Sequence, residues 1–122
     1  MSAFLSELDL RDIDGETWLL LADLHYVSDL LHGATITVPA GTVTDLASIP
    51  RLIWTIAPKT GRFDHAAVVH DWLYTTGAVE KELADAVFRE AMLVKGVSRW
   101  RAWCMWKAVA WFGGSAWAAH RA

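Results

Sequence analysis

The sequence predicts an α+β fold, with a small antiparallel sheet in its first third and three or four packed helices after it. Two observations predict this division. Residues 4–38 contain short alternating and β-branched runs separated by turn signals, whereas residues 62–120 place apolar residues at helical spacing between glycines. The length of 122 residues fits a single domain, with a β-rich part at residues 1–43 and a helical part at residues 48–122.

The strands of the first third are marked by their turns. Asp14-Gly15 is a strong hairpin signal before a second strand at Thr17–Leu24, for which a helix is the rival interpretation. Residues 25–31 form another strand or an irregular connection. Ala34–Val38 is the clearest strand, and Pro39-Ala-Gly41 then forms a turn. We therefore expect one antiparallel sheet of three or four strands.

Helical segments follow at residues 50–56, 62–74, 79–95 and 99–120. Ser48 caps the first, Gly77 and Gly96 end the second and third, and Gly113-Gly114 kinks or ends the last. The third helix is amphipathic, with an apolar stripe and a polar side. The residues expected to face water on that polar side are Glu80, Lys81, Glu82, Arg89 and Glu90.

Composition restricts the classes of function. The chain is 54% hydrophobic and contains eight Trp, so aromatic area must lie in the core, against a partner or at a membrane interface. The net charge of −3 argues against nucleic-acid binding, because phosphate contacts need clustered Lys and Arg. The single Cys104 excludes a disulfide within the chain and a multi-cysteine metal site. The N-terminus lacks a basic region followed by an apolar run, so no signal peptide is expected.

The Trp-rich segment 102–119 has three interpretations: a core or partner-facing helix, a helix lying in a membrane interface, or a membrane span. A span needs about 20 apolar residues. Lys107 and Gly113-Gly114 argue against a span, since a charge buried in the bilayer costs roughly 2.5–3.5 kcal/mol.

His70 is the candidate general base. His70 and Tyr74 lie four residues apart and share a helix face, and Asp71 lies about 100° round the same helix. A short turn at Gly77 would pack the next helix antiparallel and bring Asp85 against His70. An imidazole oriented by a carboxylate is the minimum equipment of a general base. The predicted catalytic residues are His70, Asp85 and Tyr74; the alternative is a core histidine with structural partners.

Other polar residues are candidates for supporting roles. Asp45 and Ser48 either bond loop and helix-cap amides or contribute to the His70 site. His65 lies about 140° from His70 on a helix, so the two do not converge and a zinc site is disfavoured. A cation that prefers oxygen, such as calcium, on Asp71 and loop carbonyls is the more plausible metal.

Five motifs are distributed along the chain from residue 38 to its Trp-rich ending. They are Val38-Pro-Ala-Gly41, Thr44-Asp-Leu-Ala-Ser-Ile-Pro50, the His-Asp-x-x-Tyr of Ala66–Tyr74, Ala84-Asp-x-x-Phe88, and Phe112-Gly-Gly114 within the Trp-rich ending. Together they resemble an uncharacterised family, domain of unknown function 1353, common in tailed phages, prophages and gene-transfer clusters. The resemblance implies a phage context, with other phage proteins or a second copy of the chain as partners, and the host cytoplasm or the virion as location.

A second resemblance concerns mechanism. A His-Asp-x-x-Tyr helix with an acid on an antiparallel partner helix is similar to the arrangement in secreted phospholipases A2. It implies His70 as the base that activates water, Asp71 as a calcium ligand, Asp85 as the orienting carboxylate and Tyr74 as its hydrogen-bond partner. The disulfide framework and the glycine-rich calcium loop of those enzymes have no clear counterpart in this sequence.

Three functions follow as expectations. The first is a small phage-derived hydrolase that uses the His70 site on an ester or cell-envelope bond. The alternative is a non-enzymatic phage tail or assembly component that binds partners through the Trp-rich C-terminal helix. A third is association with a membrane surface during lysis, through that same helix.

Overall fold

The computed structural model describes residues 2–14, 17–44 and 64–121 of the chain. Within these ranges the chain forms two three-stranded antiparallel sheets followed by four α-helices, which confirms the α+β class. The interpretations placed on residues 45–63, including the helix expected after Ser48, lie outside the described residues.

Six short strands form the N-terminal part: β1 (Ala3–Phe4), β2 (Leu10–Asp12), β3 (Trp18–Leu20), β4 (Leu24–Ser28), β5 (Ala34–Val38) and β6 (Val43–Thr44). One sheet has the order β1-β4-β5 and the other β2-β3-β6. The single sheet expected from the sequence is therefore wrong. The second sheet forms because Leu20 exchanges backbone hydrogen bonds with Gly41 and Thr42, at 2.7 and 2.9 Å, which carries β6 alongside β3.

The hairpin predicted at Asp14 is present. β2 and β3 pair antiparallel with Leu10 opposite Leu20, so this part of the predicted Thr17–Leu24 segment is a strand and not the rival helix. The Asp14 carboxylate accepts hydrogen bonds from the Thr17 amide and hydroxyl, both at 2.8 Å. A short acidic side chain that bonds the backbone ahead of it stabilises such a turn.

The four helices are α1 (Asp64–Thr76), α2 (Lys81–Val94), α3 (Arg99–Phe112) and α4 (Gly114–Arg121). The predicted ends at Gly77 and Gly96 are confirmed: both glycines have a positive φ, of 63° and 87°, a conformation that side-chain-bearing residues rarely adopt. The last predicted helix is interrupted at Gly113 and therefore forms two helices, α3 and α4.

The core lies between the sheets and the helices. α1 packs on α2 and α4, α2 packs on α3, β5 and β6 contact α1, and β1 and β4 contact α2. Alternate residues of β4 face inward, as the period of a strand requires. The largest fully buried apolar side chains are Tyr26, Tyr74, Phe88, Leu20, Leu24, Met92 and Met105.

Helix α3 has two unlike sides. Ala102, Met105 and Val109 are buried in the core. Four aromatic side chains on the rest of the helix are exposed: Trp100, Trp103, Trp111 and Phe112. None of the described helices is long and apolar enough to cross a membrane.

Candidate functional site

Antiparallel packing of α1 and α2 brings three of the predicted site residues together. The His70 Nε2 atom lies 2.7 Å from Asp85 Oδ1, and the Tyr74 hydroxyl donates to the same oxygen at 2.6 Å. His70 and Tyr74 reach one oxygen because they lie one helical turn apart, and their rings contact with centroids 4.3 Å apart. The geometry therefore places the imidazole and the phenol on one carboxylate.

Lys81 completes this group, although the amphipathic pattern of the helix predicts that it faces water. Its side chain is only 16% exposed, and its ammonium donates to Asp85 Oδ2 at 2.8 Å. The same ammonium donates to the carbonyls of Val109 and Ala110 at the end of α3, both at 3.2 Å. The signal that identifies Lys81 is its spacing of four residues from Asp85 on one helix. Terminal carbonyls of a helix also attract cations, since they carry partial negative charge.

Phe88 and Gly113 also contact this group. The His70 ring contacts the Phe88 ring, with centroids 4.7 Å apart, and its exposed fraction is 0%. Gly113 makes room for the Tyr74 hydroxyl, because a Cβ atom at Gly113 would lie 2.7 Å from that oxygen and 2.5 Å from the Val109 carbonyl oxygen. This contact gives a physical reason for a glycine in the Phe112-Gly-Gly114 motif.

Protonation follows from these surroundings. Burial alone would raise the pKa of Asp85, but hydrogen bonds from His70, Lys81 and Tyr74 outweigh it and lower that pKa. Burial lowers the pKa of His70, and the bond to Asp85 only partly opposes this shift. Burial and the Asp85 carboxylate raise the pKa of Tyr74. At neutral pH the group therefore holds an ionised Asp85, a neutral His70 and a neutral Tyr74.

The tautomer of His70 is then determined by its partner. An ionised carboxylate can only accept hydrogen bonds, so the proton of the neutral ring lies on Nε2 and faces Asp85. The basic lone pair of the ring is consequently on Nδ1.

Asp71 lies in a different environment from His70. It is 7% exposed, and its Oδ2 accepts a hydrogen bond of 2.5 Å from the hydroxyl of Thr44 at the end of β6. Within the described parts of the chain, no group of three or more His, Cys, Asp or Glu residues is arranged to hold a metal ion. The calcium site that was predicted needs one carboxylate and loop carbonyls, which this finding does not test, so calcium on Asp71 stays a prediction.

His65 does not support the His70 site. Its Nε2 accepts the backbone N–H of Leu8 at 3.2 Å, and its ring meets the Phe4 ring edge-on at 5.1 Å. The described contacts of His65 are therefore with the β-rich part, because the 140° offset on α1 turns it away from His70, and none of them supports the expected role at the His70 site. The other two candidates, Asp45 and Ser48, lie outside the described residues.

A second carboxylate of α2, that of Glu90, was also expected to face water and instead lies half-buried against the first sheet. Glu90 Oε1 accepts the hydroxyls of Tyr26 and Ser28 at 2.6 and 2.8 Å, and Oε2 accepts the Leu30 amide at 3.2 Å. Burial raises the pKa of Tyr26, and the hydrogen bond to Glu90 adds to that shift. Glu90 thereby joins α2 to the first sheet.

Two surface grooves lie near these carboxylates. The larger, about 740 Å³, runs beside α2 and is lined by Ser2, Leu30, Ala86, Arg89, Glu90, Leu93, Val94 and Trp106. The smaller, about 510 Å³, lies at the turn between α1 and α2 and is lined by residues 76–80, Trp117 and Arg121. His70 and Asp85 line neither groove, so in this conformation both residues are shielded from these two openings.

The comparisons with known proteins identify a family. The chain is 37% identical over 78 residues to the uncharacterized protein y4jT of Sinorhizobium fredii, covering 62% of this chain and 23% of the relative. It is 33% identical over 116 residues to the uncharacterized protein y4iH of the same organism, covering 92% of this chain and 48% of the relative. The chain thus spans less than half the length of these two curated relatives.

No solved structure matches the chain significantly. Residues 18–109 match the family described as "Protein of unknown function (DUF1353)". Because this match covers most of the chain, the protein belongs to the DUF1353 family.

Proposed function

We propose that the chain is a small hydrolase in which His70 is the general base, acting on an ester or related bond of the cell envelope in a phage or prophage setting. One observation supports the catalytic part of this proposal. Asp85 accepts a hydrogen bond from His70 Nε2 at 2.7 Å and another from the Tyr74 hydroxyl at 2.6 Å. A neutral imidazole oriented by an ionised carboxylate is the arrangement that general-base catalysis needs. The phage setting rests on the motif resemblance, since the two matched relatives are uncharacterized.

The chemical step uses the lone pair of His70 Nδ1. A water molecule gives its proton to Nδ1 while its oxygen attacks the ester carbonyl carbon. The tetrahedral intermediate then collapses, the bond from carbon to the leaving oxygen breaks, and the proton on Nδ1 passes to that oxygen. Asp85 stabilises the imidazolium between these two transfers, and Tyr74 and Lys81 hold Asp85 in position. No calcium enters this scheme.

Access is part of the proposal. The His70 side chain is fully buried, so water and ester reach Nδ1 only through a local opening of the structure. Local openings cost less free energy than global unfolding, and binding segments commonly belong to the less stable parts of a protein. Catalytic groups in unliganded enzymes also often reach their working geometry only after substrate binds.

The first test is hydrolysis of chromogenic nitrophenyl esters and of phospholipid vesicles by the protein and its His70→Asn variant. Loss of a general base should lower kcat/KM by roughly 10²–10⁴-fold. His65→Asn, on the same helix but bonded to the β-rich part, is the matched control and should keep full activity. Circular dichroism and the melting temperature check that both variants fold. Equal activity of the two variants, or no hydrolysis by the wild-type protein on either substrate, contradicts the proposal.

A second candidate is a non-enzymatic phage tail or assembly component. It is favoured by the complete burial of His70 and by Lys81, which joins Asp85 to the terminal carbonyls of α3, as a purely structural network would. In that case His70→Asn would lower the melting temperature, and the wild-type protein would hydrolyse neither class of ester. Partner binding would then belong to the exposed side of α3.

A further inference from the structure

The exposed side of α3 carries a continuous line of aromatic side chains. Trp100, Trp103, Lys107 and Trp111 are spaced by three or four residues and therefore lie along one face of the helix. Trp100 and Trp111 are 65% and 72% exposed, so their indoles project into solvent and do not pack into the core. Cys104, which is partly exposed, lies on the same face. We use the term aromatic ridge for Trp100, Trp103, Lys107 and Trp111 together with the neighbouring Phe112.

Cations are interleaved with the rings of the ridge. The Lys107 ammonium lies 5.8, 5.2 and 5.5 Å from the ring centroids of Trp103, Trp106 and Trp111. The Arg101 guanidinium lies 5.3 Å from the centroid of Trp100. These distances allow cation–π contacts that hold the charges beside the indoles. The ridge thus presents apolar rings and positive charges on one surface.

Acidic and basic residues are distributed unevenly along the chain. Residues 97–122 contain four Arg or Lys, no Asp and no Glu. Residues 1–44 contain seven Asp or Glu, and Arg11 is their single basic residue. The net charge of −3 is therefore the sum of a basic C-terminal helical end, an acidic β-rich part and a nearly neutral middle of the chain.

We propose that the aromatic ridge docks on an anionic lipid surface, with α3 lying in the plane of the membrane. Tryptophan indoles are preferred at the level of the lipid headgroups, where one side of the ring is apolar and the other is wet. Lys107 on this face, and Arg101, whose guanidinium lies beside the Trp100 ring, gain energy from anionic lipids.

A second copy of the chain is the competing occupant of the ridge. The larger of the two grooves, beside α2, is lined mainly by apolar side chains and contains Arg89 and Glu90, whose carboxylate already accepts hydrogen bonds from Tyr26, Ser28 and the Leu30 amide. The acidic side chains of the β-rich part complement Arg101 and Lys107 as a surface of phosphate groups does, so the test must distinguish self-association from lipid binding. The lipid proposal does not depend on the hydrolase proposal, so the inactive His70→Asn variant should bind vesicles as the wild-type protein does.

The test is co-sedimentation with vesicles containing phosphatidylglycerol and with vesicles of phosphatidylcholine alone. We expect stronger binding to the anionic vesicles and weaker binding at high salt. The double variant Trp100→Ala/Trp111→Ala should lower the partition coefficient by roughly tenfold or more, because each indole loses apolar area at the interface. Leu5→Ala/Ile13→Ala removes two exposed apolar side chains of the β-rich part and should change nothing.

The charge is tested in the same assay. Arg101→Gln/Lys107→Gln should abolish the preference for anionic vesicles, while Arg11→Gln in the acidic part should retain it. Binding that is equal for both lipid compositions, or lowered equally by the ridge and control variants, would overturn the proposal. Self-association without lipid that Trp100→Ala/Trp111→Ala abolishes would overturn it as well and assign the ridge to a second copy, with analytical ultracentrifugation as the readout.

Discussion

Two carboxylates of α2 accept tyrosine hydroxyls in the same way, but their other hydrogen-bond partners differ. Asp85 and Glu90 each accept a tyrosine hydroxyl at 2.6 Å, from Tyr74 and Tyr26 respectively. The other described partners of Asp85 are an imidazole and an ammonium, whereas those of Glu90 are a serine hydroxyl and a backbone amide. The two sites lie five residues apart, about 140° round the helix, and face different parts of the core.

Because of this difference, the Asp85 group can take part in proton transfer, whereas the Glu90 group is structural. The partners of Glu90 do not titrate near neutral pH and only join α2 to the first sheet. The Asp85 group contains a neutral histidine and a buried ion pair, so it can change its protonation state and orient a base. Glu90 and Tyr26 are therefore the internal controls for Asp85 and Tyr74: both pairs contribute to folding, and the proposal assigns catalysis to one of them.

The largest expected effect is a difference in stability between variants of the two carboxylates. Asp85→Asn leaves the largely buried Lys81 without its counter-ion and should lower the free energy of unfolding by about 3 kcal/mol. Glu90→Gln retains an amide oxygen for neutral donors and should cost about 1 kcal/mol. Urea denaturation followed by tryptophan fluorescence measures both. Equal losses would mean that the ion pair adds nothing to the Asp85 group.

A smaller effect probes the space around Tyr74. Gly113→Ala places a methyl group against the Tyr74 hydroxyl and should lower the free energy of unfolding by about 2 kcal/mol. Gly114→Ala is the control, since no atom lies within 4 Å of a Cβ there. Alanine favours helix over glycine, so this control should be neutral or slightly stabilising. Thermal melts of the two variants test the pair, and a Gly113→Ala protein as stable as Gly114→Ala would contradict the contact.

The smallest effect concerns acid. Burial lowers the pKa of His70, so below its ordinary value of about 6.5 the unfolded chain binds a proton that the folded chain does not. Stability should therefore be complete above that pH and fall as the pH decreases toward 5. His70→Asn should make the fall shallower, with a remainder because burial also lowers the pKa of His65. Tyr26→Phe, at the Glu90 site, should leave the slope unchanged when melting temperatures are measured across this range.

Much of the fold could be predicted because local signals determine it. β-branched residues mark β5 at Ala34–Val38, and Asp14 marks the hairpin. Gly77 and Gly96 end their helices by adopting a positive φ that the sequence can indicate. The division of six strands into two sheets was missed, because it depends on hydrogen bonds between Leu20 and the turn at Gly41, which no local pattern encodes.

The candidate site could be predicted where local spacing along the chain determines it, and not where it depends on contacts between distant elements. His70, Tyr74 and Asp85 converge because helical spacing and a short turn bring them together. Lys81 and Glu90 were placed in water because an amphipathic pattern assigns charged residues to the polar side. Each has partners on other elements, Val109 for Lys81 and Tyr26 for Glu90, and hydrophobic periodicity contains no information about such partners.

The position of Cys104 makes α3 open to direct spectroscopy. It is the single cysteine of the chain, it is partly exposed, and it lies one helical turn from Trp100 on the same face. A maleimide fluorophore or a nitroxide label would therefore attach at one known point of native sequence, with no other thiol to remove. Such a label would report the depth and tilt of this helix at whatever surface covers it.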